Sequence, residues 1–227
     1  MFFINNGDGS YSLTSNGYGL VAFILFFLLV LIAFLAGNNK KFSPRVLVFC
    51  SVSIALGTIC SMFNPIKLPM GGSVTLFSML FVTIMGYWYG PVIGILGGAA
   101  YGLLQFIIDP YIISIPQVFV DYIFAFGALG ISGFFNSKKH GLIIGYIAGI
   151  LGRYFFAVLS GVIFFGAYAT NYGLGAFNAI VYSLLYNIIY IGAEGILTII
   201  LLLLPNVANA LGYVKRQALH SNVESHA

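Results

Sequence analysis

Asp109, Asp121, Arg153 and Glu194 fall inside or at the rim of long apolar stretches. Hydrocarbon solvates charge poorly, so each ionisable group there needs a partner, a ligand or an interfacial position. Asp121, in PQVFVDYIF, has Gln117 four residues earlier on the same helical face and Tyr122 beside it. A carboxylate and an amide facing a common interior suit the grip of a cationic or amino-bearing small solute. The alternative is a structural ion pair between Asp121 and Arg153. Asp109 precedes Pro110, which fits a turn or a cap. Arg153 opens RYFF about two turns into its helix, within snorkelling reach of headgroups. Glu194, in YIGAEGIL, is flanked by small residues that permit close helix approach. It either bonds across helices or lines the site.

Neutral groups supply a second set. In IVYSLLYNIIY, Tyr182, Tyr186 and Asn187 project near one wedge of a helix. A flat heteroaromatic ligand stacks on such rings, with its ring nitrogens read by Asn187 and a positive charge opposed by Asp121. The same tyrosines suit an interfacial belt. KLPMGGSV enters a span with Gly71, Gly72 and Ser73, a flexible turn suited either to closing over a pocket or simply to tight re-entry. In SVSIALG, the pairs Ser51/Ala55 and Ser53/Gly57 have small-xxx-small spacing, for docking another membrane subunit or for internal packing.

Other chemistry has no residues to carry it. The chain holds no Walker loop, no HExxH and no serine elbow; its histidines are His140, His220 and His226. One acid without a nearby base is a poor catalytic set. No metal site and no cofactor is expected. Cys50 and Cys60 are ten residues apart in one stretch, roughly 15 Å if helical, too far for a disulfide.

The elements that position these residues are membrane helices. Only 14 of 227 residues are charged (9 Lys+Arg, 5 Asp+Glu), and 60% are hydrophobic. Mean hydropathy is +1.03. A water-soluble surface needs about a quarter charged residues, so soluble enzymes and nucleic-acid binders are excluded as leading readings. Spans are expected over 19–36, 46–63, 74–88, 91–108, 116–135, 142–165 and 176–204, the third short enough for a partly re-entrant start. Residues 19–36 read as a retained helix, because a basic flank follows them and none precedes. Seven of nine basic residues (Lys40, Lys41, Arg45, Lys138, Lys139, Lys215, Arg216) fall on one side if the N-terminus is outside and the C-terminus inside. The expected division is 1–41, an extracellular N-terminus with an additional transmembrane helix; 42–208, a substrate-binding membrane domain; and 209–227, a polar, frayed cytoplasmic tail.

LPMGGSV, VDYIFAFGALGISG, GRYFF, SGVIFFG and YSLLYN together resemble the thiamine-specific substrate-binding (S) components of energy-coupling-factor transporters, the ThiT/YuaJ family, over about residues 45–204. The resemblance implies an all-α, six-helix membrane bundle, here preceded by one more helix, in a bacterial cell membrane. It implies high-affinity capture of external thiamine without an ATPase of its own. Partners would be a transmembrane coupling subunit (EcfT) and two ABC ATPase subunits, and release would follow toppling in the membrane. Carried over residue by residue, Asp121, Tyr122, Tyr182 and Asn187 would surround the ligand. Phe165 stands where an aromatic ring faces it, and Arg153 where the family has a basic residue. Ser51, Ala55 and Gly57 would form the coupling face. Ala157 stands where a histidine is common, which opens a related pyrimidine or pyridine vitamin, such as hydroxymethylpyrimidine or a B6 vitamer, as substrate. The rivals are a self-sufficient channel or secondary transporter, which needs a continuous polar path, and a membrane enzyme or assembly protein.

Overall fold

A computed structural model describes residues 2–5, 11–14, 16, 17, 20, 43–68, 71–165 and 176–219. Apart from residue 20, the expected first span lies outside these, as do the last eight residues of the tail.

A short N-terminal hairpin pairs β1 (Phe3–Asn5) with β2 (Tyr11–Leu13). Helix α1 (Pro44–Met62) follows, opened by Pro44 and by the Ser43 hydroxyl, which accepts the Val46 N–H at 3.4 Å. β3 (Ile66–Lys67) and β4 (Ser73–Val74) form a second hairpin. Then come α2 (Ser78–Tyr89), α3 (Pro91–Ile108), a composite helix α4 (Ile115–Phe135), α5 (Gly141–Phe164), α6 (Ala176–Leu203) and α7 (Pro205–Leu219). Among the described residues, five helices are long and apolar enough to cross a bilayer: α1, α3, α4, α5 and α6. The seven-span expectation is therefore met in part.

The remaining bundle helix, α2, has 12 residues and spans only about 18 Å. The expected short third span is thus a half-helix, and the chain reaches it through the 66–74 hairpin and a bend that ends at Phe77 (φ +63°). It sits at the centre of the core, with Met79, Leu80, Val82, Ile84 and Met85 all buried. A helix apolar on all sides is stable only when other helices surround it. Its start lies inside the bundle, where four orphan N–H groups need acceptors. Glu194 of α6 supplies one: its Oε1 accepts the Met79 N–H at 2.8 Å and the Ser78 hydroxyl at 3.1 Å, while Oε2 accepts the Thr75 hydroxyl. Of the two roles open for Glu194, bonding across helices is the one observed.

Helices α3 and α4 nearly touch. Gly98 and Gly102, one turn apart on α3, face the backbone of Phe126 and Tyr122, and a Cβ at either position would collide with a carbonyl. This fixes the depth of Tyr122 and its neighbour Asp121.

The tail departs from the frayed expectation. Residues 205–219 are helical, and Lys215 is anchored over the Tyr87 ring at 3.9 Å and donates to the Asn136 carbonyl at 3.3 Å.

Candidate functional site

A cavity of about 450 Å³ opens between the 66–74 hairpin and helices α3 to α6. Asp121, Tyr122, Gln117, Arg153, Phe165, Tyr182, Tyr186 and Asn187 all line it, as do Gly71, Gly72 and Ser73.

Asp121 lies in a π-helical turn, Phe119–Phe124, within α4. Upstream, the Ser114 hydroxyl caps the helix by accepting the Gln117 N–H at 3.3 Å. The Gln117 side chain, 1% exposed, accepts from Ile113 N–H at 3.1 Å through Oε1. Its Nε2 donates to Asp121 Oδ2 at 2.6 Å and to the Tyr111 carbonyl at 3.3 Å. The amide therefore orients the carboxylate from behind. Tyr122 is held just as firmly: its hydroxyl accepts the Tyr111 N–H at 2.9 Å and donates to the Asp109 carbonyl at 3.1 Å.

The Asp121–Arg153 ion pair left open by the sequence does not form. Among the described residues, the salt bridge present is Lys67–Asp109 at 3.7 Å, between two exposed groups, and such pairs contribute about 0–1 kcal/mol. Nor does Arg153 snorkel outward. It sits about 18 Å along α5, lines the cavity, and places its guanidinium 4.2 Å from the centroid of the Phe126 ring.

On α6 the tyrosines form a ladder. Tyr182 and Tyr186 stack at 5.8 Å, and Tyr186 meets Tyr190 edge-on at 5.7 Å. Across the cavity, Phe165 stacks on Tyr111 at 5.9 Å. Asn187 differs from expectation. Its amide N–H groups go to the Ser183 carbonyl at 2.8 Å and the Ala157 carbonyl at 3.3 Å, so no amide donor is left over for a ring nitrogen. Its Oδ1 accepts the Tyr190 hydroxyl at 2.8 Å and retains one lone pair, so Asn187 can accept from a ligand donor.

The hairpin is tied to the same helix. Gly71 has φ +84°, a left-handed conformation that favours glycine, and the Gly72 N–H donates to the Tyr186 hydroxyl at 2.9 Å. A Cβ on Gly72 would strike that hydroxyl.

Ser51, Ala55 and Gly57 are not in the cavity, and they do not share one surface. Ser51 and Ala55 are exposed along α1, whereas Gly57 is buried against Tyr101, Phe81 and the Ser78 carbonyl. The Ser53/Gly57 stripe therefore packs within the bundle, and Gly57 is removed from any docking face.

Further lining residues include Tyr111, Ser160, Ser183 and Tyr190. Tyr190 and Ser183 were recoverable, since each extends the four-residue spacing of Tyr182/Tyr186 or of Asn187. Tyr111 and Ser160 carry no comparable signal. No group of three or more His, Cys, Asp or Glu able to hold a metal occurs among the described residues.

A family model described as thiamine transporter protein matches residues 47–212. The thiamine transporter ThiT of Bacillus subtilis (strain 168) is 32% identical over 184 residues, 74% of this chain and 92% of that protein. A solved structure of ThiT from Listeria monocytogenes superposes with a TM-score of 0.52 at 23% identity, over 78% of this chain and 94% of that one, a likeness of fold. By the extent of the matched model and of the Bacillus relative, this multi-pass membrane protein belongs to the thiamine transporter family.

Proposed function

We propose that the chain captures thiamine from outside the cell in the cavity beneath the 66–74 hairpin and delivers it inward as the substrate-binding subunit of an energy-coupling-factor transporter. A transmembrane coupling subunit and two ABC ATPase subunits supply the work of release. The observation that carries this reading is the carboxylate of Asp121, oriented by Gln117, in a cavity walled largely by aromatic rings and neutral hydrogen-bonding groups; the other charged groups lining it are Arg153 and the exposed, mutually paired Lys67 and Asp109.

Thiamine is a flat aminopyrimidine joined through one methylene to a cationic thiazolium. Its charge calls for one anion in a site sheltered from water, where the attraction is much stronger than in bulk solvent. Its two rings call for aromatic faces, which Tyr182, Tyr186, Phe165 and Tyr111 provide. Binding is favoured because Gln117 and the Tyr122 hydroxyl bonds already hold the polar groups in place. The seven-span orientation, N-terminus outside, puts the hairpin end outside and the Lys215 end in the cytoplasm.

Intrinsic fluorescence titration of the purified chain tests this. Trp88 is the sole tryptophan and lies outside the cavity, so the cavity tyrosines carry the signal. Saturable binding of thiamine at submicromolar concentration is expected. Saturation by hydroxymethylpyrimidine or a B6 vitamer alone would reassign the substrate, and the absence of binding by all three would overturn the reading.

A further inference from the structure

Helix α5 presents Arg153, Ala157 and Ser160 at spacings of four and three, so the three side chains share one face. All three line the cavity. Ala157 is buried and offers no polar group. Ser160 is 1% exposed, and its hydroxyl makes no hydrogen bond within the described protein. A buried hydroxyl without a partner is disfavoured by the full cost of its lost hydration. Nearby hydroxyls on the cavity wall have partners: Ser183 donates to the Val158 carbonyl at 3.0 Å, and the Tyr190 hydroxyl donates to Asn187. Ser160 therefore stands out as an unmet hydrogen-bonding group on the cavity wall.

Its surroundings decide what it can take. The Asp121 carboxyl lines the same cavity and comes near enough to interact with the Ser160 hydroxyl, without meeting hydrogen-bond geometry. An ionised carboxylate only accepts, so the Ser160 proton has a preferred direction once the two close up. The two oxygen lone pairs then face the cavity and want a donor. We propose that Ser160 is a specificity-determining ligand contact that accepts an N–H from the exocyclic amine of an aminopyrimidine, supplying on this chain the polar contact that Ala157 cannot.

The proposal rests on the thiamine reading and sharpens it. A single methylene joins thiamine's rings, so amine and thiazolium charge can share the neighbourhood of one carboxylate. Ser160 then reads the amine while Asp121 answers the charge. A ligand with a carbonyl in place of the amine puts an acceptor against an acceptor, and loses this contact.

The experiment pairs a residue change with a ligand change. Thiamine and oxythiamine, which carries an oxo group in place of the amine, are titrated against the intact chain and against Ser160→Ala and Ser160→Cys. The thiol preserves volume but accepts hydrogen bonds weakly. Expected is a roughly fivefold to tenfold weaker thiamine affinity in both variants, with oxythiamine affinity equal in all three proteins. Thermal unfolding without ligand should be unchanged or raised, because an unsatisfied buried hydroxyl has been removed. Equal penalties for both ligands, or none for thiamine, would overturn the Ser160 contact while leaving thiamine binding intact. An intact chain that binds neither compound would overturn both readings.

Discussion

The Tyr186 hydroxyl accepts the Gly72 amide at 2.9 Å, so the helix that walls the cavity also fastens the hairpin across it. Eight residues further along the same helix, Glu194 fastens the inner end of that connection through Thr75, Ser78 and Met79. Two anchors on α6 thus hold the segment 72–79 from both ends, and the two are separable by mutation.

Tyr186→Phe keeps the ring and removes the outer anchor. Thiamine should bind about twofold to tenfold more weakly, mainly through faster release, because one hydrogen bond of about 0.5–1.5 kcal/mol is lost. Stopped-flow dissociation checks this. Gly72→Val should cost more, since its side chain would displace the Tyr186 hydroxyl as well.

Glu194→Ala removes the inner anchor and leaves the Met79 N–H without an acceptor in the core. A loss of about 2–4 kcal/mol of stability is expected from the unmet groups and the cavity left behind. Glu194→Gln should lose less, because its single carbonyl oxygen can still serve Met79. Thermal unfolding in detergent, compared across the three proteins, reads the order.

Asp121→Asn preserves an acceptor for Gln117 and removes only the charge. Thiamine affinity should fall by roughly 30-fold to 150-fold, the scale of a charge contact of about 2–3 kcal/mol. Stability without ligand should hold or rise, since no cation pairs with this carboxylate within 4 Å among the described residues. An unchanged affinity would assign Asp121 to structure alone.

The α3–α4 contact gives a steric prediction. Gly102→Ala places a methyl on the Tyr122 carbonyl and must push the two helices apart, so the yield of folded protein should drop sharply. Gly212→Ala, on α7 with nothing within 4 Å, should be neutral or stabilising by up to about 1 kcal/mol. Size-exclusion profiles of the two variants make the comparison.

Apolar length and the charges between spans located the helices, because a bilayer imposes both. The Gln117/Asp121 pair was legible for a local reason: four-residue spacing on a helix brings side chains together whatever the fold. The same spacing continues through Tyr182, Tyr186, Tyr190 and Glu194; Tyr190 still meets a local partner, Asn187 one turn back, whereas Glu194 meets one set by the global fold, the start of α2. The small-residue spacing at Ser51, Ala55 and Gly57 says that something approaches closely without saying what; at Gly57 it is the chain itself, while Ser51 and Ala55 stay exposed along α1. Ser160 and Tyr111 gave no signal, as an isolated hydroxyl and a ring beyond a proline acquire meaning only from what faces them.

The π-helical turn at Phe119–Phe124 holds one residue more per closed ring than an α-helix and carries Asp121 within it. A π turn lets a helix absorb one additional residue without rotating its flanks, so removing a single residue there would let the segment rewind as regular helix while the parts on either side keep their bearings. The re-aiming would be confined to the turn itself, Asp121 within it. Substrate preference at this position is therefore open to change through deletion of one codon, a route that leaves the rest of the cavity wall in place.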